Sequence, residues 1–160
     1  FRPVSTHLLP HYKDGLFELA FPEIVNYVDA TFNTIPDKAH RAIAGLSMGG
    51  MHTLMITANY PDMFNYIGLY SAGVDFSHLN MEEVPAYANL DAKLTKLAQG
   101  NPKLYWIACG NEDWLLPANK RLMERMDKDG LKYTFHESPR GHLWCNWRQY
   151  SLLFIPQLFK

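Results

Sequence analysis

At 160 residues, with 48% apolar side chains, 19% charged ones and a formal net charge of −1, the chain can bury the core of one domain. That balance argues against disorder and against a nucleic-acid-binding surface. No apolar run is long enough to cross a bilayer as a helix, and Phe1-Arg2-Pro3-Val4 does not open a signal peptide.

In chain order, an irregular polar opening gives way to a stretch from Leu16 to Phe32. There Leu19, Ile24, Val25, Tyr27, Val28 and Phe32 fall at largely helical spacing, which predicts a helix interrupted near Pro22 and closed before Asn33-Thr34. Arg41-Ala42-Ile43-Ala44-Gly45 is a short apolar run ending in glycine, and Met51 to Tyr60 reads as a helix stopped by Pro61-Asp62. The alternation repeats with strands at Tyr66 to Tyr70 and Leu104 to Ala108 and helices at Asp91 to Gln99 and Ala118 to Asp129. Lys132 to His136 is the last predicted strand, and a final helix is predicted from Leu143 to Phe159, with Pro156 near its end. Strands alternating with helices predict an α/β fold, a mostly parallel sheet with helices on both faces. No repeat, low-complexity tract or linker divides the chain. Cys109 and Cys145 fit neither metal-ligand spacing nor a disulfide framework, and read as buried free thiols.

Gly45-Leu46-Ser47-Met48-Gly49 is a G-x-S-x-G between a predicted strand and a predicted helix. A turn that tight leaves no room for neighbouring side chains, so small residues flank the serine and its hydroxyl stands at the sheet edge; Gly50 extends the permissive stretch. The turn also brings the serine to a helix N-terminus, where free N–H groups favour developing negative charge, and Met48 N–H is the expected oxyanion donor. A plain glycine-rich connection with an ordinary serine is the competing reading.

A serine hydroxyl is a weak nucleophile near neutral pH, so the chemistry requires a histidine base and a carboxylate to orient it. Two predicted strands run into loops with candidates, Gly110-Asn111-Glu112-Asp113-Trp114 and Ser138-Pro139-Arg140-Gly141-His142. The order Ser47, Asp113, His142 satisfies the nucleophile-elbow pattern, and loops leaving the carboxyl ends of parallel strands open on one edge of a sheet. Glu112 and Asp75 compete for the acid. His7, His11, His40, His52, His78 and His136 are assigned surface or packing roles. Trp114, Trp144 and Trp147 flank the proposed acid and base, where they could line an apolar acyl pocket or pack the core.

Taken together, Asp37 to Gly50, Tyr66 to Gly73, Cys109 to Asp113, Gly141 to Trp144 and Trp147-Arg148 resemble the esterase-D-like α/β-hydrolases, and especially the carbohydrate esterase family 1 type that includes feruloyl and acetyl-xylan esterases. The resemblance implies an α/β-hydrolase fold in which Ser47 is the nucleophile, His142 the general acid/base and Asp113 its partner. It implies a substrate of feruloylated or acetylated xylan or oligosaccharide, with no metal or organic cofactor and no nucleic-acid or membrane partner. It further implies export (secreted or periplasmic) and, in some members, fusion to a xylanase or other glycoside hydrolase module. Acyl-glutathione or siderophore-ester hydrolysis, acyl transfer to cell-envelope sugars, and a non-catalytic carbohydrate-binding relative are the alternatives.

Only residues 1–40 precede the elbow strand, where the family carries several strands. Residues 1–160 are therefore expected to be the C-terminal catalytic portion of a single esterase domain without its N-terminal strands. The elbow strand is then expected to show an unpaired edge, and the loop after an earlier strand, which carries the second oxyanion donor, is expected to lie outside this sequence. Such a segment alone is expected to be poorly stable and weakly active.

Overall fold

The computed structural model describes residues 14–77 and 80–160. His7, His11 and His78 lie outside the described residues. The elements run α1 (Leu16–Thr31), β1 (Ala42–Leu46), α2 (Met48–Asn59), β2 (Tyr66–Tyr70), α3 (Leu90–Gln99), β3 (Leu104–Gly110), α4 (Leu116–Asp129), β4 (Thr134–Ser138) and α5 (Trp144–Phe154). Short 3-10 turns stand at Lys38–His40, Met81–Glu83 and Ile155–Gln157.

The four strands form one sheet in the order β1-β2-β3-β4, each parallel to its neighbour. Side chains alternate across a strand, so each strand feeds two layers. Ile67, Leu69, Tyr105 and Ile107 face a core shared with Leu54 of α2, Leu94 of α3 and Leu122 of α4. Tyr66, Tyr70, Trp106 and Ala108 face the other way, onto Trp147, Tyr150 and Phe154 of α5. Helices on both faces explain why all five residues of β2 are buried, an apolar run without polar alternation. His136 of β4 stacks on Trp106, ring centroids 5.9 Å apart, a packing role.

Several boundaries differ from the sequence expectations, and four of the differences have a physical reason in the fold. Helix α1 continues through Pro22 without a break, although proline cannot donate to the carbonyl of residue 18. Tertiary bonds hold the turn before it: Tyr60 Oη donates to the Leu19 carbonyl at 2.7 Å, and Glu18 Oε1 meets His52 Nδ1 at 2.6 Å and Tyr87 Oη at 3.2 Å. Helix α2 starts at Met48 rather than Met51, because the serine turn leads straight into it. Strand β4 sits two residues later than expected, its register set by pairing with β3 from Trp106↔Thr134 to Gly110↔Ser138. Helix α5 ends at Phe154 and tightens into the 3-10 turn holding Pro156, whose missing N–H ends the α-helical ladder.

Strand β1 stands at one end of the sheet, and among the described residues its outer edge has no ladder partner. Its side chains are mostly half-buried, and a cavity of ≈ 760 Å³ lined by Ile24, Val28, Ile43 and Phe64 lies beside it. That cavity is lined by none of Ser47, Asp113 or His142.

Glu18 is fully buried, so its hydrogen bonds to His52 and Tyr87 fasten α1 to α2 and to the segment before α3. Truncating Glu18 to alanine removes both hydrogen bonds and is expected to lower unfolding stability by about 1–3 kcal/mol, measured by urea denaturation, with Glu18→Gln losing less because it keeps an acceptor.

Candidate active site

Ser47 joins β1 to α2 with φ 51° and ψ −119°, a backbone conformation that side-chain-bearing residues rarely adopt. Such strain is of order 1–3 kcal/mol and persists only where the surroundings hold it. Here they do. Ser47 N–H donates to the Tyr70 carbonyl at 2.9 Å, and the Ser47 carbonyl accepts from Gly73 N–H at 2.7 Å, Gly50 N–H at 3.0 Å and Met51 N–H at 3.2 Å. The loop after β2 is tied down in turn: Ser71 N–H reaches the Ala108 carbonyl at 2.7 Å, and Asn119 Nδ2 donates to the Ala72 carbonyl at 2.9 Å.

The motif glycines are not equivalent. A Cβ on Gly45 would stand 2.1 Å from the Gly49 carbonyl oxygen, and one on Gly50 would stand 2.7 Å from Ala72 Cβ, so both positions are closed to any side chain. A Cβ on Gly49 meets nothing within 4 Å. The tight approach is therefore between the end of β1 and the first turn of α2, and between α2 and the loop after β2.

At the mouth of the turn, Ser47 Oγ lies 2.9 Å from His142 Nε2, and His142 Nδ1 lies 2.9 Å from Asp113 Oδ2. Asp113 is 3% exposed and its Oδ1 also accepts from Leu115 N–H at 3.0 Å. With Nδ1–H donated to the carboxylate, Nε2 is left as the acceptor facing the serine hydroxyl. The loop after β3 and the loop after β4 are laced together by Asn111 N–H to the Ser138 carbonyl at 2.8 Å and Glu112 N–H to the Arg140 carbonyl at 3.0 Å. Three loops from three strand ends thus meet on the carboxyl edge of the sheet.

The competing acids lie elsewhere in the bonding pattern. Glu112 is exposed beside Asp113, and Asp75 faces Arg121 at 3.9 Å. His40 pairs with Asp37 at 2.7 Å in a local turn, and His52 is taken by Glu18. Met48 is the first residue of α2, where backbone N–H groups have no acceptor within the helix. Trp114 lies tilted against His142 with ring centroids 4.2 Å apart and 42° between planes, and Trp147 meets the same ring edge-on at 4.8 Å and 85°. Trp147 is buried in the α5 core, whereas Trp114 and Trp144 are 70% and 69% exposed among the described residues.

Comparison with known proteins then fixes the family. The Esterase family model matches residues 10–153. An endo-1,4-beta-xylanase/feruloyl esterase of Xylanibacter ruminicola is 53% identical over 139 residues, covering 86% of this chain and 17% of that protein. An acetyl esterase of Caldicellulosiruptor saccharolyticus is 27% identical, covering 91% of this chain and 65% of that one. The chain belongs to the esterase family. It also has the α/β-hydrolase fold: a ferulic acid esterase structure from the anaerobic fungus Anaeromyces mucronatus superposes with a TM-score of 0.73 at 18% identity, over 99% of this chain and 59% of that one. The chain spans less than two thirds of the length of each of these relatives.

Sequence reading of this esterase-family chain missed Asn146. Its Nδ2 donates to the Pro139 and Gly141 carbonyls, both at 3.0 Å, and so holds the loop that carries His142. The available signal was an asparagine, a poor helix former, in the first turn of the last predicted helix, four residues after the histidine. The two cysteines also part company. Cys109 is buried, and burial together with the nearby Asp113 charge pushes its thiol up to about 12, whereas Cys145 is exposed on the first turn of α5, contrary to the expectation that both are buried. Arg140 donates to Cys145 Sγ at 3.4 Å and lowers its pKa from the ordinary thiol value.

Two predictions follow from these contacts. Gly45→Ala is expected to lower the melting temperature sharply while Gly49→Ala leaves it equal or higher, since alanine gains about 1 kcal/mol over glycine in a helix and meets no clash there. In native protein at pH 8, iodoacetamide is expected to alkylate Cys145 and spare Cys109, because a lowered pKa enlarges the thiolate fraction and a raised one removes it; peptide mass mapping reads the result.

Proposed function

We propose that residues 1–160 are the C-terminal catalytic portion of a single α/β-hydrolase domain, a serine esterase that removes feruloyl groups from xylan. The observation that carries the reading is the hydrogen-bonded line from Ser47 Oγ through the His142 ring to Asp113, 2.9 Å at each link. In the proposed reaction Ser47 Oγ attacks the ester carbonyl carbon while His142 Nε2 takes its proton, and Asp113 holds the imidazole and favours its charged form. Met48 N–H stabilises the oxyanion. His142 then returns the proton to the departing sugar hydroxyl, and the acyl-enzyme is cleaved by a water that the same base activates. The chemistry calls on no metal or organic cofactor.

The feruloyl assignment is supported by the identity to the Xylanibacter xylanase/feruloyl esterase, and by the exposed indoles of Trp114 and Trp144 beside the base, which offer faces to an aromatic acyl group or a sugar. The same relative supports feruloylated xylan or its oligosaccharides as the partner and fusion to a xylanase module, and the family resemblance alone leads us to propose an exported, secreted or periplasmic location. A second reading, hydrolysis of acetyl esters, is favoured by the Caldicellulosiruptor acetyl esterase.

Steady-state hydrolysis of methyl ferulate and 4-nitrophenyl acetate, compared across wild type, Ser47→Ala and Asp113→Asn, separates the readings. Ferulate release is expected to fall by at least about 10³-fold in Ser47→Ala and by about 10⁴-fold in Asp113→Asn, where the imidazole loses its orienting charge. Turnover of acetate alone would move the assignment to the second reading, and activity on both esters untouched by Ser47→Ala would end both.

A further inference from the structure

The two hydrogen bonds of the His142 ring lie in its plane, one at Nδ1 and one at Nε2. Beyond those two bonds and its own χ1 and χ2 torsions, the ring is held by what it touches, and two indoles lie against it. Trp147 is anchored in the α5 core, but Trp114 is 70% exposed, so burial does not account for where it sits. It directly follows Asp113, and Leu115 N–H bonds the same carboxylate, so one turn before α4 delivers both the acid and an aromatic surface to the imidazole.

We propose that Trp114 is a positioning residue for the His142 base, holding the imidazole in line with Ser47 together with Trp147 and favouring its cationic form as the serine proton arrives. The inference rests on the serine-esterase reading above. In the attack step the Ser47 Oγ–C bond forms, the carbonyl π pair moves to oxygen, and the Oγ proton passes to Nε2, leaving an imidazolium. A cation within about 6 Å of an indole centroid is attracted by the ring quadrupole. Because neutral imidazole lacks that attraction, the gain belongs to the transition state, and it raises kcat without tightening substrate binding.

The test measures kcat and KM for methyl ferulate and 4-nitrophenyl acetate, the rate of Ser47 labelling by a fluorophosphonate probe, and the melting temperature, in wild type, Trp114→Leu and Trp114→Phe. Trp114→Leu is expected to lower kcat for both esters and the labelling rate by a common factor of about three to ten, with KM for the acetate ester and the melting temperature unchanged, and Trp114→Phe to recover most of the loss. A loss confined to the ferulate ester, or expressed in KM alone, would make Trp114 a wall of the acyl pocket and overturn the proposal. A melting temperature that falls in step with labelling across the two variants would also overturn it. Equal labelling of wild type and Trp114→Leu removes this proposal and leaves the esterase standing, whereas no Ser47-dependent labelling of wild type removes the esterase reading and this one with it.

Discussion

Ser47 occupies a backbone conformation that its own side chain disfavours, and the surrounding structure can be understood as what keeps it there. Its N–H is committed to the last residue of β2 and its carbonyl to the loop that follows, which is bound to β3 through Ser71 and to α4 through Asn119. Those neighbours can come so close only because Gly45 and Gly50 lack side chains. The serine is thus placed by a parallel sheet whose successive strand ends brace one another, and the hydroxyl points where the third and fourth strands deliver the carboxylate and the imidazole. On the proposed reading, pre-organisation of this kind leaves little motion to be frozen out when a substrate binds.

Most of this architecture was readable in the chain because its strands are short, apolar and separated by helices of ordinary length. The bounds of β2 could be read directly, since burial of all five residues leaves an uninterrupted apolar run. Strand β4 was less legible because its residues are only partly buried, and its register is fixed by β3 rather than by its own pattern. Pro22 misled for a similar reason: the bonds that carry α1 past it come from Tyr60 and from the Glu18 cluster, whose members are 34 and 69 positions from Glu18 along the chain. The serine motif was legible because backbone contact at Gly45 demands glycine whatever the function. Asn146 was not, since its task is to hold two carbonyls of a loop whose path is known only once the chain has folded.

The surroundings of the imidazole show how one side chain is constrained in separate directions by separate chemistries. Charge and hydrogen bonding act along the ring plane through Asp113 and Ser47, while aromatic surfaces act across it. The carboxylate is buried where solvent cannot compete for it. Nearby, burial and the Asp113 charge raise the pKa of the Cys109 thiol and keep it protonated.

Strand order in this sheet equals chain order, and that has a consequence for how loss of function should be interpreted. Ser47 follows the first strand, Asp113 the third and His142 the fourth, the last on a loop tied to α5 through Asn146 and through the bond between Ser138 Oγ and Tyr150 Oη at 2.6 Å. On the serine-esterase reading, displacement of α5 would release His142 while leaving the serine turn tied to the loop after β2, so hydrolytic silence in such a sample would report a displaced imidazole rather than an inert fold.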